Sequence, residues 1–189
     1  MAATAYSGKI RIIGGRWRGR KLPVLEQEGL RPTPDRVRET LFNWLAPIIE
    51  GSRCLDLFSG TGALCLEALS RGASEVVMVE RAKHVADQLR LNIATLGTED
   101  ATVVETDAVG YLQGAVEPFD VIFLDPPFAS DLVARGSELI DKRDWLKPGG
   151  FVYVEAPAAM HPLPLPSHWT AVKSKQAGQV GYHLLRAPV

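Results

Sequence analysis

Between residues 53 and 155 short apolar runs alternate with longer segments whose apolar residues recur at helical spacing, and no other feature limits the fold so tightly. Residues 53–58, 75–80, 101–106, 119–124 and 151–155 read as strands, continuous in Val, Ile, Leu and Phe rather than alternating. Residues 63–71, 83–96, 108–113 and 132–141 read as helices, the first two stopped at Gly72 and Gly97. Continuous apolar strands joined by helices predict a parallel sheet buried on both faces, with right-handed crossovers. Lys147-Pro-Gly-Gly150 is expected to turn the chain into the fifth strand. Residues 168–175 and 180–186, split by a glycine-containing turn, then form an antiparallel pair. The whole reads as a doubly wound α/β domain.

Upstream, Thr33 resembles a helix N-cap and Pro34 the first helical residue, opening a helix to about Leu45. Residues 10–24 read as two short strands broken at Gly14-Gly15 and Gly19. A length of 189 residues, 46% hydrophobic and 23% charged, suits one domain with a short appendage. The expected division is a basic extension over 1–30 and the α/β domain over 31–189. No stretch approaches the ~20 apolar residues of a spanning helix, and the first residues lack a signal-peptide core, so the reading is cytosolic. Cys54 and Cys65 are too few for a disulfide framework and stand at no metal-ligand spacing from the four histidines. They read as buried reduced thiols, with no metal expected, and the proline-rich stretch 157–166 reads as an ordered loop.

Net charge is −1, yet residues 1–38 hold nine Lys/Arg against three acids, so +6 lies there and −7 in the rest. Such asymmetry concentrates positive potential where phosphates could be neutralised. The candidate RNA contacts are Arg11, Arg16, Arg18, Arg20, Lys21, Arg31, Arg36 and Arg38, with Trp17 either stacking on an unpaired base or packing on the domain. An arm of this kind is expected to be removable over residues 1–22 without loss of the cofactor site. The bland alternative is a solubilising surface.

Asp56-Leu-Phe-Ser-Gly-Thr-Gly62 is a glycine-rich turn between strand and helix, where nucleotide-like ligands bind in such sheets. A dinucleotide fits poorly. The G-x-G-x-x-G/A spacing fails at Cys65, and Asp56 would repel a pyrophosphate. S-adenosylmethionine carries no phosphate and offers a cationic ammonium and sulfonium, which a strand-end carboxylate favours. Glu80, 24 residues after Asp56, is spaced to grip ribose hydroxyls, and Asp107 stands where it could accept from an adenine amine. Each acid alone reads more often as a loop cap or a solvated charge; together with the glycine turn they point to this cofactor. The candidate binding set is Thr33, Pro34, Asp56, Phe58, Ser59, Gly60, Thr61, Gly62, Glu80, Arg81, Asp107, Ala108 and Asp125.

The candidate catalytic residues are Asp125, Pro126, Pro127 and Phe128, which follow the fourth strand. Two prolines remove two backbone donors, so the Asp125 carboxylate and Pro126 carbonyl can converge on an NH2 group without a competing N–H. Accepting both amine protons turns the nitrogen lone pair away from its ring, and positioning then dominates the transfer. Phe128 supplies an apolar face for a base swung out of its stack. The structural alternative is a rigid turn with one buried aromatic.

Arg11-Ile-Ile-Gly-Gly-Arg-Trp-Arg-Gly-Arg-Lys-Leu22, Arg31-Pro-Thr-Pro-Asp-Arg-Val-Arg-Glu-Thr-Leu-Phe-Asn-Trp-Leu45, the turn 56–62 with Ala63-Leu-Cys-Leu-Glu-Ala68, and Asp125-Pro-Pro-Phe128 together resemble the bacterial 16S ribosomal RNA guanine-N2 methyltransferases of the RsmD type. The resemblance covers nearly the whole chain, and the two N-terminal stretches carry its specificity. It implies a class I, Rossmann-like methyltransferase fold with a seven-stranded sheet, S-adenosylmethionine as cofactor and no metal. It also implies methylation of one guanine N2 in 16S rRNA during small-subunit assembly, the partner being a 30S assembly intermediate. By the same resemblance Thr33-Pro34 meets the methionine end of the cofactor. The sequence leaves open a DNA or RNA adenine-N6 methyltransferase and a non-catalytic RNA-binding assembly factor. Only about 40 residues remain beyond the core for the target-recognition domain a DNA enzyme needs.

Overall fold

A computed structural model of the protein describes residues 6–25, 33–128 and 131–189. Strand β1 (Tyr6–Arg11) and β2 (Lys21–Leu25) form an antiparallel hairpin joined through a short 3-10 turn, Gly15–Trp17. Helix α1 (Asp35–Leu45) leads to β3 (Arg53–Asp56), α2 (Ala63–Ser70), β4 (Glu75–Glu80), α3 (Lys83–Leu96), β5 (Ala101–Glu105) and α4 (Ala108–Leu112). Then come β6 (Phe119–Leu124), α5 (Leu132–Lys142), β7 (Leu146–Pro157), β8 (Thr170–Ala177) and β9 (Val180–Arg186). One sheet runs β5-β4-β3-β6-β7-β9-β8, with β9 antiparallel to β7 and to β8. This is the doubly wound, seven-stranded arrangement expected, and its order reverses between β3 and β6, the switch point beyond whose strand ends sheets of this kind bind ligands.

The sheet is buried on both faces because its strands are apolar on both. Cys54, Val76, Met78, Val121, Phe123, Tyr153, Tyr182 and Leu184 face α1, α2 and the hairpin. Leu55, Val77, Ile122, Leu124, Val152, Val154 and Leu185 face the other way, with Trp145 and Trp169. Ile10, Ile12, Leu22 and Val24 of the hairpin are buried in the first of these cores. The hairpin is therefore part of the packed fold, which corrects the expectation that residues 1–22 form an arm removable without loss of the cofactor site. The boundary drawn between residues 30 and 31 lies outside the described residues.

Other corrections are local. Lys147-Pro-Gly-Gly150 runs inside β7 instead of turning into it; the register shifts there and Gly149 takes φ +70°. Thr33 does not cap α1: Pro34 precedes the helix without a side-chain cap, and the Thr33 hydroxyl is used elsewhere. Strand β3 stops two residues short of Phe58, because the Phe58 N–H turns back to the Asp56 carboxylate at 3.1 Å. Gly15 is required where it stands, since φ is +75° and a Cβ would lie 1.7 Å from the Ser70 carbonyl oxygen. Cys54 and Cys65 are free and buried, and burial pushes the Cys54 thiol up to about 12.

Candidate active site

Four adjacent strands carry a carboxylate on one face at or within two residues of their C-terminal ends. Side chains alternate along a strand, so Asp56 and Glu80 share the face of Cys54 and Met78, and Glu155 shares that of Tyr153. Asp125, the residue after β6, continues the face of Phe123. Leu124 pairs with Val154, so Asp125 and Glu155 stand side by side, about 4.8 Å apart across the strands. No Lys or Arg among the described residues forms an ion pair with any of the four.

That arrangement has electrostatic consequences. Asp56 is 2% exposed, and its carboxyl is pushed up to about 7 by burial first, then by the charges of Glu80 and Glu155. Burial, with Glu155 and Asp56 nearby, holds the Asp125 carboxyl well above the usual range. Glu155 is raised by burial against two hydroxyls that favour its ionised form: Tyr153 donates at 2.7 Å and Thr33 at 3.4 Å, both to Oε1. A row of carboxylates without a described Lys or Arg partner suits a cationic ligand without phosphate. The fit to S-adenosylmethionine rests on this cation-free set.

The glycine turn is held open for such a ligand. Gly60 and Gly62 take φ +48° and +77°, and the Gly60 N–H donates to Glu80 Oε2 at 3.1 Å. Glu80 Oε1 accepts from Ala82 N at 2.8 Å, so the carboxylate is oriented while each oxygen keeps a lone pair. Ser59 and Thr61 are buried in the turn, Ser59 donating to the Asp56 carbonyl at 3.0 Å, and Phe58 is half-buried against the core. Asp107 caps α4, accepting from Gly110 N at 2.9 Å; the loop-cap reading thus holds for Oδ1. Ala108 opens α4 in the core, and Arg81 is exposed beside Glu80. Pro126 is buried and Pro127 exposed. Phe128 is 43% exposed, so the tetrapeptide presents this ring outward instead of burying it.

Two of the candidate RNA contacts, one basic and one aromatic, serve the packed interior. Arg38 is 2% exposed and bonds Asp35, Glu67 and the Arg11 carbonyl, so it serves the interior and cannot meet a phosphate. Trp17 packs against the core with the Arg16 guanidinium 4.1 Å from its ring centroid, which fits the packed alternative. Arg11 pairs with Asp35, Arg16 with Asp100, and Arg20 donates to the Thr95 carbonyl at 2.9 Å. Arg18, Lys21 and Arg36 are exposed without a partner among the described residues, whereas Arg31 lies outside them. The loop 14–20 sits at the Ser70 end of α2, about 12 Å along that helix from the glycine turn.

Sequence reasoning missed Glu155, although it carries the same strand-end signal as Glu80 and Asp125. It also missed Lys173 and Lys175, both exposed and without an acidic partner among the described residues. They pair with Leu184 and Tyr182, so they lie on the α1 face of the sheet. Trp44 of α1 stacks on Tyr182 at 5.4 Å, and Arg36 lies two turns up the same stripe of that helix.

A seven-stranded sheet of this order, with an acidic cleft at its switch point and Asp-Pro-Pro-Phe beside it, defines a class I, Rossmann-like methyltransferase. The chain belongs to the family described as Conserved hypothetical protein 95, whose model matches residues 10–186. It is 48% identical over 178 residues to Ribosomal RNA small subunit methyltransferase D of Escherichia coli strain K12, covering 94% of this chain and 90% of that one. The protein of the same name from Haemophilus influenzae is 50% identical over 181 residues, covering 94% and 93%. A solved Escherichia coli structure, yhhF, superposes with a TM-score of 0.88 at 46% identity, covering 96% of this chain and 99% of that one.

Proposed function

We propose that the protein transfers a methyl group from S-adenosylmethionine to the exocyclic N2 amine of a guanine in 16S ribosomal RNA, within an assembling small subunit in the bacterial cytoplasm. The observation that carries this reading is the row Glu80, Asp56, Asp125 and Glu155, unpaired with any described cation, beside an exposed Phe128. The names of its relatives, which cover nearly all of the chain, supply the ribosomal substrate.

Bound in the cleft, S-adenosylmethionine supplies an electrophilic methyl group. Asp56 would hold its cationic end, Glu80 its ribose hydroxyls, and Gly60 and Gly62 would lie along its body. The Asp125 carboxylate and Pro126 carbonyl accept the two amine protons and turn the nitrogen lone pair out of conjugation, while Phe128 supports the base. The methylated nitrogen would then have one proton to shed. Asp125, held above the usual carboxylate range, is suited to accept it.

Arg36, Arg81 and Lys175 lie toward the cleft end of the fold and, like Lys9, Arg18, Lys21 and Lys173, are free to meet phosphates. Labelled methyl transfer into ribosomal RNA from cells lacking the protein, followed by mass spectrometry of the digested RNA, tests the reading. One N2-methylguanosine in 16S rRNA is expected, with assembling particles outperforming naked RNA. Label in adenine, or in no RNA at all, would sink it.

A further inference from the structure

We propose that Glu155 reads the Watson–Crick edge of the target base and selects guanine by accepting its N1–H; the proposal rests on the guanine-N2 reading above. Glu155 lies two residues before the end of β7, beside Asp125, and is 6% exposed. Its Oε1 is fixed by the Tyr153 and Thr33 hydroxyls, whereas Oε2 accepts from no described residue. Tyr153 is itself held in the core, edge-on to Phe123 at 6.3 Å between ring centroids. The carboxylate is thus oriented, with one oxygen to spare.

The side of Asp125 on which that oxygen lies matters. Toward β3 and β4 stand Asp56, Glu80 and the glycine turn, the part of the cleft suited to the cofactor. A base whose amine sits at Asp125 must therefore extend its ring toward β7. Guanine presents N1–H next to its N2 amine, two donors in a row, and two adjacent carboxylates match them. Adenine presents N1 as an acceptor next to its amine, so its lone pair would face a carboxylate. Burial raises the Glu155 carboxyl, and the two hydroxyls donating to Oε1 oppose that by favouring the ionised form this contact needs.

The base 2-aminopurine separates the two contacts, because it keeps the 2-amine but carries an acceptor at N1. In a 16S rRNA fragment bearing guanine or 2-aminopurine at the methylated position, the wild-type enzyme should favour guanine by at least ~100-fold in kcat/KM. Glu155→Gln, whose amide can donate to N1, should lower transfer to guanine and shrink that preference at least tenfold, by RT ln 10, ~1.4 kcal/mol. Tyr153→Phe, which removes one orienting hydroxyl and keeps the ring, should shrink it less. Equal losses on both RNAs in both variants, or a change confined to the KM for S-adenosylmethionine, would overturn the proposal and leave Glu155 as a support for Thr33. A wild-type enzyme inert on the guanine RNA would overturn the guanine-N2 reading itself, and this inference with it.

Discussion

Glu67 on α2 accepts the Gly14 backbone N–H at 2.8 Å, and this contact fastens the basic hairpin to the helix that follows the glycine turn. The same carboxylate accepts from Ile13 N at 2.8 Å and Arg71 Nε at 2.7 Å, and it faces Arg38 at 3.6 Å. Glu67 and Arg38 are both buried, so each neutralises a charge the interior could not otherwise hold. Glu67→Ala should cost roughly 3–5 kcal/mol, because it removes the buried partner of Arg38, which keeps only the half-exposed Asp35, and leaves the Ile13 and Gly14 N–H groups without their acceptor. Urea unfolding measures it; wild-type stability would mean that water reaches this cluster.

The second prediction concerns pH. Asp56 is pushed up to about 7 in the folded chain, against ~3.9 for an unfolded aspartate. The folded state holds a proton that the unfolded state gives up, so this contribution is complete below about pH 4 and is lost as pH rises through 7. Without ligand, the melting temperature of the wild type should therefore fall relative to Asp56→Asn between about pH 5 and about pH 8. A cationic ligand ionises Asp56 and drives the proton off. Its binding enthalpy near neutral pH should then vary with the ionisation heat of the buffer in the wild type but not in Asp56→Asn. A constant enthalpy would place the cation elsewhere.

The third separates chemistry from packing at the tetrapeptide. Phe128 is 43% exposed at the surface, so Phe128→Ala opens no enclosed cavity, and its stability should stay within roughly 0.5 kcal/mol of wild type. Productive RNA binding should weaken by the ~1–3 kcal/mol of a lost stacking face, and Phe128→Tyr should retain it. Asp125→Ala should bind cofactor and RNA yet lose turnover by roughly 10³-fold, read as a single-turnover rate. An active Asp125→Ala enzyme would remove Asp125 from the transfer.

Period and punctuation made the sheet legible: apolar strands, Gly72 and Gly97 as helix stops, and acids at successive strand ends each report a local rule. What stayed hidden depends on interactions across the chain. Arg38 looks like any surface arginine until Glu67, 29 residues on, is seen against it. Thr33 reads as a cap because that rule is local, whereas its partner Glu155 lies 122 residues away. Phe128 could have been buried or presented, since a proline pair fixes φ without fixing which way the following ring points. Lys173 and Lys175 carry no motif, and only the pairing with β9 places them on the α1 face.

The last prediction concerns the path of the RNA. Lys173, Lys175 and Arg36 share one side of the molecule, and none has a described acidic partner. If they meet phosphates, the double variant Lys173→Glu/Lys175→Glu should weaken RNA binding across sequences and lower the slope of log K against log salt by roughly 0.7–0.9 for each phosphate left unneutralised. Cofactor affinity and melting temperature should stay at wild-type values, since both lysines are exposed on an edge strand. Reversal of Arg18 and Lys21 to Glu probes the far end of α2 in the same way. A footprint reaching from the cleft to the hairpin requires both pairs to reduce the slope. A slope unchanged in both would mean that these charges only solubilise the surface and that the RNA is held within the cleft.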